Sequence, residues 1–200
     1  MNIFVLSDCP IEAAQMMCDK HVPKMIVESA QMLSTAHRML DGVPDRRPSK
    51  SGKTMQQYYA FNDSAKDDLL YKAVHKYHPC TVWTMESKDN YIWHYKHMIA
   101  LGNEFTYRFN KPHATITKLG AALAKIPNNI PDKGLTPFAL AMKAYPECIV
   151  EGDAVQSYRN FYHADKLRFA KWDRGRDAPK WWSVSVSSNR ATGMGNQVVL

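Results

Sequence analysis

The chain has 200 residues, with 26 Lys plus Arg against 19 Asp plus Glu and a net charge of +7. Its 45% apolar and 11% aromatic residues suit a packed core and exclude a disordered chain. Four widely spaced cysteines form no C-x-x-C pair, which speaks against a metal-ribbon site or a disulfide framework.

The basic excess favours an anionic partner, with nucleic acid first and a membrane surface second. No apolar run approaches the roughly 20 residues that cross a bilayer. The opening MNIFVLSDCP has Asp8 as its first charge and lacks the basic start of a signal peptide. A soluble cytoplasmic protein with no membrane association is expected.

In chain order, residues 2–6 (NIFVL) read as a short extended segment tucked into the core. Pro10 then opens a short helix running through Cys18. A second helix starts near His21, with Pro23 in its first turn. Val22, Ile26, Ala30, Leu33, His37 and Leu40 keep its 3.6 period until Asp41-Gly42 stops it. Residues 42–63 read as a flexible basic loop. Its SGKT resembles the end of a phosphate-binding P-loop, but Arg47 stands where that motif needs glycine. Contact with phosphate through residues such as Lys53 suits this loop better.

Helices are expected over 64–77, over 81–109 with an interruption near Ser87, over 114–126 and over 153–172. Residues 127–152 hold four prolines and read as loop, with a brief helical piece after Pro137. Residues 183–200 are rich in Ser and Gly and read as a frayed tail. The pattern predicts a mainly α, compact single-domain fold over 1–182.

Three constellations are candidates for chemistry. His21, Lys24, Glu28, Gln31, Thr35 and Arg38 fall within about a third of one helix's circumference, opposite its apolar line. Such a stripe is either a solvated face, with Lys24–Glu28 an ordinary i,i+4 pair, or one wall of a site. The segment HPCTVWTMES, residues 78–87, presents His78 in an extended conformation before Pro79, with Trp83 and Glu86 in the turn that follows. It is a second wall or a plain helix start. In residues 166–182, Arg168, Lys171, Arg174, Arg176 and Lys180 interleave with Phe169, Trp172, Trp181 and Trp182. Cations and flat rings in alternation suit phosphates and exposed bases, while tryptophans equally anchor a chain end to a core. No H-E-x-x-H or Glu-x-x-His pair accompanies the eight histidines, so no metal and no cofactor is expected.

The ordered set Asp19-x-His21, Glu28 and Gln31, then His78-Pro79 with Val82-Trp83, then the terminal Ala178-Pro179-Lys180-Trp181-Trp182 resembles the phage-type pyrimidine-dimer DNA glycosylases. The likeness covers roughly residues 1–110 and 155–182. It implies a compact all-α fold and a monomer acting on double-stranded, damaged or modified DNA in a bacterial or infected cell. It also implies attack by the N-terminal α-amine, at Met1, on the deoxyribose C1′, with Glu28 as the catalytic carboxylate.

By the same resemblance His21 touches the DNA backbone or flipped region, while Lys24, read from its own position one helical turn before Glu28, is a substitute amine. Gln31 takes the place of a phosphate-binding arginine; the constellations above add Arg38, His78, Lys171, Trp172, Arg174, Arg176 and Trp181 as residues around the DNA. Asn2 stands where the family carries a small residue exposed by removal of Met1. Two other readings share these residues: a catalytically silent DNA-binding protein, and an enzyme acting on a free nucleotide or modified base.

Overall fold

A computed structural model describes residues 1–182; the tail expected over 183–200 lies outside the described residues. The fold is mainly α. The helices are α1 (Pro10–Met16), α2 (His21–Asp41), α3 (Ser64–Leu69), α4 (Pro79–Glu86), α5 (Lys88–Phe109), α6 (Ala114–Leu123) and α7 (Ala154–Phe161). Strands β1 (Val43–Pro48) and β2 (Met55–Ala60) form one antiparallel hairpin between α2 and α3.

Helices α2 and α5 are the axis of the molecule. They pack on each other, with α1 against α5 and α4 and α6 against α2. Two apolar clusters meet on this pair. One gathers Phe4, Met25, Trp83, Trp93, Leu101, Tyr158 and Tyr162, the other Leu33, Tyr91, Met98, Leu119 and Leu123. The approach of α5 to α6 needs Gly102, where a Cβ would stand 2.7 Å from Ile116 Cγ1.

Local chemistry sets the helix ends. Ser87 Oγ accepts from Asp89 N and starts α5. Asn110 ends it in the left-handed region with φ 52°, a conformation asparagine tolerates. The Nδ1 atoms of His78 and His113 cap α4 and α6 by accepting from Cys80 N and Thr115 N. The N-terminal segment runs through the middle of the core, with Ile3 to Leu6 all buried.

Four expectations are corrected. Residues 42–63 are not a loop throughout but a paired ribbon, in register Val43↔Ala60 to Pro48↔Met55. The expected helix over 64–77 stops at Leu69. Its reason is Arg38: that guanidinium takes the Asp67, Leu70 and Tyr71 carbonyls, so the backbone leaves the helical path to meet it. The helix expected over 153–172 is α-helical only over Ala154–Phe161, then widens to a π turn at Tyr162–Lys166. The helical piece expected after Pro137 is a 3₁₀ turn later in the chain, at Pro146–Cys148.

Candidate functional site

The polar line on α2 is not a wet face. His21, Thr35 and Arg38 are buried, Glu28 and Gln31 half-buried, and Lys24 is the exposed member. A central helix has neighbours on every side, so its polar residues are divided between structural and solvent-facing tasks.

Arg38 takes the structural task entirely. It is 0% exposed. Its Nε bonds the Tyr71 carbonyl, Nη1 bonds the Tyr59 carbonyl and Asp67 Oδ1, and Nη2 bonds the Asp67 and Leu70 carbonyls, all within 2.6–2.8 Å. A guanidinium has five N–H donors, and all five are used. Arg38 as a phosphate contact is therefore corrected.

His21 is buried as well, its ring stacked on Phe4 at 4.7 Å and its Nδ1 2.6 Å from the Tyr162 hydroxyl. Burial pushes its pKa down to about 3, and the charges of Lys166, Lys24 and Lys20 push the same way. A neutral His21 underlies a positive rim rather than reaching a DNA backbone.

Glu28 takes the solvent-side task. Its Oε2 accepts from the backbone N–H of Asn2 at 3.0 Å and stands 3.8 Å from the chain's α-amine. Its Oε1 is 3.6 Å from Lys24 Nζ. The Met1 side chain is only 5% exposed while the residue as a whole is half-buried. What Met1 shows to water is thus its backbone end, where the amine sits.

The neighbouring Asn2 holds that end in place. Its side-chain amide donates to the Ala141 carbonyl, and its Oδ1 accepts from the N–H groups of Ile3 and Phe4. Phe4 has φ 54°, a strained conformation for a residue with a side chain, and it lies in the same short segment.

Helix α4 closes one side. Cys80 Sγ lies 3.8 Å from Asn2 Oδ1. Half-buried His78 has its pKa lowered by burial and by the α-amine's charge, with Glu28 acting in the opposite sense. His78 is thus in the electrostatic neighbourhood of both amine and carboxylate, as well as capping α4.

The C-terminal segment divides in the same way as α2. Trp172 Nε1 donates to the Met16 carbonyl, Trp181 Nε1 donates to Met16 Sδ, and both rings pack on Trp182. Arg176 makes a two-pronged pair with Glu104, bonding Oε1 from Nε and Oε2 from Nη2. These three residues anchor the segment, which removes Arg176 from the expected phosphate set. Lys171 and Arg174 are exposed beside Lys20 in a recess also lined by Asp19, Phe169 and Asp173. Exposed Lys24 and half-buried Lys166, which is paired with Asp165, lie like Lys20 within electrostatic reach of His21.

Lys53 stands exposed in the hairpin turn, outside the Met1–Glu28 cluster. Sequence reading missed Lys166 and Lys20, whose roles depend on a π turn and on the ring of Phe169 lying 4.7 Å beneath Lys20 Nζ.

Among the described residues no group of three or more His, Cys, Asp or Glu could hold a metal ion, and no helix is long and apolar enough to cross a membrane. Compared with known proteins, the chain matches no family model, no curated protein and no solved structure.

Proposed function

We propose that this protein is a DNA-acting enzyme of the pyrimidine-dimer glycosylase type, with a nucleophilic amine at Glu28 and damaged or modified duplex DNA as substrate. The observation that carries this reading is one carboxylate flanked by two amines. The α-amine lies 3.8 Å from Oε2 and Lys24 Nζ 3.6 Å from Oε1.

The chemistry calls for such a group. A neutral amine gives its lone pair to C1′ of the deoxyribose. The C1′–N bond to the base breaks, and the base leaves with that electron pair and gains a proton. The sugar ring opens to an iminium between amine and C1′. Loss of a C2′ proton then breaks the C3′–O bond and expels the 3′ phosphate, and water hydrolyses the imine to free the amine. A carboxylate beside the amine accepts its proton and stabilises the cationic sugar.

The terminal amine, held beside the half-buried carboxylate by the fixed segment at Asn2, is the assigned nucleophile, and exposed Lys24 is the charge partner. Removal of Met1 would make the Asn2 nitrogen, 3.0 Å from Oε2, the terminal amine at the same carboxylate. Exposed Lys20, Lys171 and Arg174, which line one recess, suit the DNA backbone.

The test is borohydride trapping on duplexes carrying an abasic site or a pyrimidine dimer, read by mass spectrometry. The expected result is a covalent adduct mapped to the N-terminal residue. A chain that binds duplex with steep salt dependence yet forms no adduct is a silent DNA-binding protein, and the enzymatic reading fails.

A further inference from the structure

The β1–β2 hairpin is the part of the chain that the Glu28 site leaves without a role. Its base is held rigidly. Tyr58 and Tyr59 are buried, the Tyr59 carbonyl is bound by Arg38, and Phe61 N donates to Asp67. Arg47 lies 3.8 Å over the Tyr58 ring and pairs with Asp67 at 2.9 Å. Its far half is different: apart from half-buried Arg47 and Ser49, every residue from Arg46 to Gln57 is exposed.

A two-stranded hairpin is marginal in water by itself, so this ribbon exists because its base is clamped. The tip is also shaped. Gly52 N donates to the Ser49 carbonyl at 2.8 Å, Ser49 N donates to the Thr54 carbonyl at 2.7 Å, and Gly52 has φ 71°. Lys50 and Lys53 flank that glycine inside a fixed turn. Residues 46–57 hold Arg46, Arg47, Lys50 and Lys53 and no acidic residue. Arg47 faces inward to Tyr58 and Asp67, and strand alternation turns Arg46 to the opposite face. Three cations thus project from a clamped ribbon, and among the described residues none fixes them to the core.

We infer that this hairpin is a second DNA-contacting arm, which lies along duplex DNA and pairs Arg46, Lys50 and Lys53 with backbone phosphates. The inference rests on the reading of the partner as duplex DNA. A two-stranded ribbon has the width that the major groove of B-DNA admits, and phosphate contacts of this kind set grip and register without reading sequence.

The test compares the full chain with the triple variant Arg46→Gln, Lys50→Gln, Lys53→Gln. A control, Lys111→Gln, Lys133→Gln, Lys143→Gln, removes equal charge from exposed positions elsewhere. Duplex affinity is measured from 50 to 200 mM salt, with thermal melting as the folding check. Three lost contacts lower the slope of log affinity against log salt by about 2.7. The hairpin variant is expected to show that drop with an unchanged melting midpoint, and the control a much smaller one. An unchanged slope in a hairpin variant that melts normally overturns the arm alone, as does an equal drop in the control. Wild-type protein without salt-sensitive duplex binding overturns the arm together with the DNA reading beneath it.

Discussion

Glu28 meets three nitrogens from two parts of the chain, the α-amine, the Asn2 amide and Lys24 Nζ. Glu28→Gln keeps the size and one acceptor oxygen but removes the charge. It is expected to abolish adduct formation on abasic duplex while duplex affinity stays within about twofold, since the proposed phosphate contacts lie elsewhere. Quantitative trapping and a binding titration check both halves. A variant that traps DNA at the wild-type rate returns Glu28 to a plain ion-pair role. At this scale the sequence pattern singled out Lys24 and Glu28 but could not separate them from Arg38 on the same stripe. Helical spacing reports which residues share a face and says nothing of what that face meets. The carbonyls that claim Arg38 come from residues 59, 67, 70 and 71, which no local pattern connects to it.

Among the elements, α2 and α5 were legible because each buries an apolar stripe at the helical period. The ends of α5 were legible too, since Ser87 and Asn110 act through local geometry. The hairpin was not. A ribbon whose far half is exposed has no sustained alternation of apolar and polar residues to announce it, and Pro44 and Pro48 read as breakers although edge strands tolerate them. What makes it a ribbon is the buried cluster of Arg38 and Asp67. Burial alone would raise the Asp67 carboxyl, but hydrogen bonds from Arg38, the Phe61 N–H and Arg47 outweigh it and lower its pKa to about 2. Arg38→Met removes the cation paired with Asp67 Oδ1 and takes the donor from four carbonyls. A loss of about 3–5 kcal/mol is expected, as for other broken buried pairs, with the hairpin's amide protons exchanging fastest. Urea unfolding followed by hydrogen exchange measures both. A loss below about 1 kcal/mol would show that the cluster does not hold the hairpin.

Across the whole molecule, four histidines are stored in neutral form. Burial lowers the pKa of His21, His94 and His97 to about 3 and that of His37 to about 4. Among the described residues neither ring nitrogen of His97 has a hydrogen-bond partner, and its ring stacks on Trp93 at 5.2 Å. Their folded pKa values lie below the unfolded value of 6.5, so the unfolded chain binds more protons between the two. Stability is therefore full above pH 6.5 and falls on acidification through the window down to about 3–4. Each such histidine costs up to about 1.4 kcal/mol per pH unit in that window. Denaturant midpoints are expected to hold steady from pH 8 to 7 and drop sharply from 6.5 to 5, with His97→Phe flattening the drop. A midpoint insensitive to pH over that range would mean the imidazoles meet water before the fold is lost.

The N-terminal segment is threaded through the centre, and its contacts have a consequence for how the chain is made. Asn2 bonds Ala141, Leu6 accepts from Arg159, and Asp19 N donates to the Lys171 carbonyl. Several partners of residues 2–19 thus lie more than a hundred positions further along the chain. At about 5–20 residues per second, the 139 positions between Asn2 and Ala141 take roughly 7–28 s to synthesise. For that interval the segment that ends buried around Asn2 lacks the carbonyl that fixes its side chain, and the centre of the molecule closes only once Ala141 has been made.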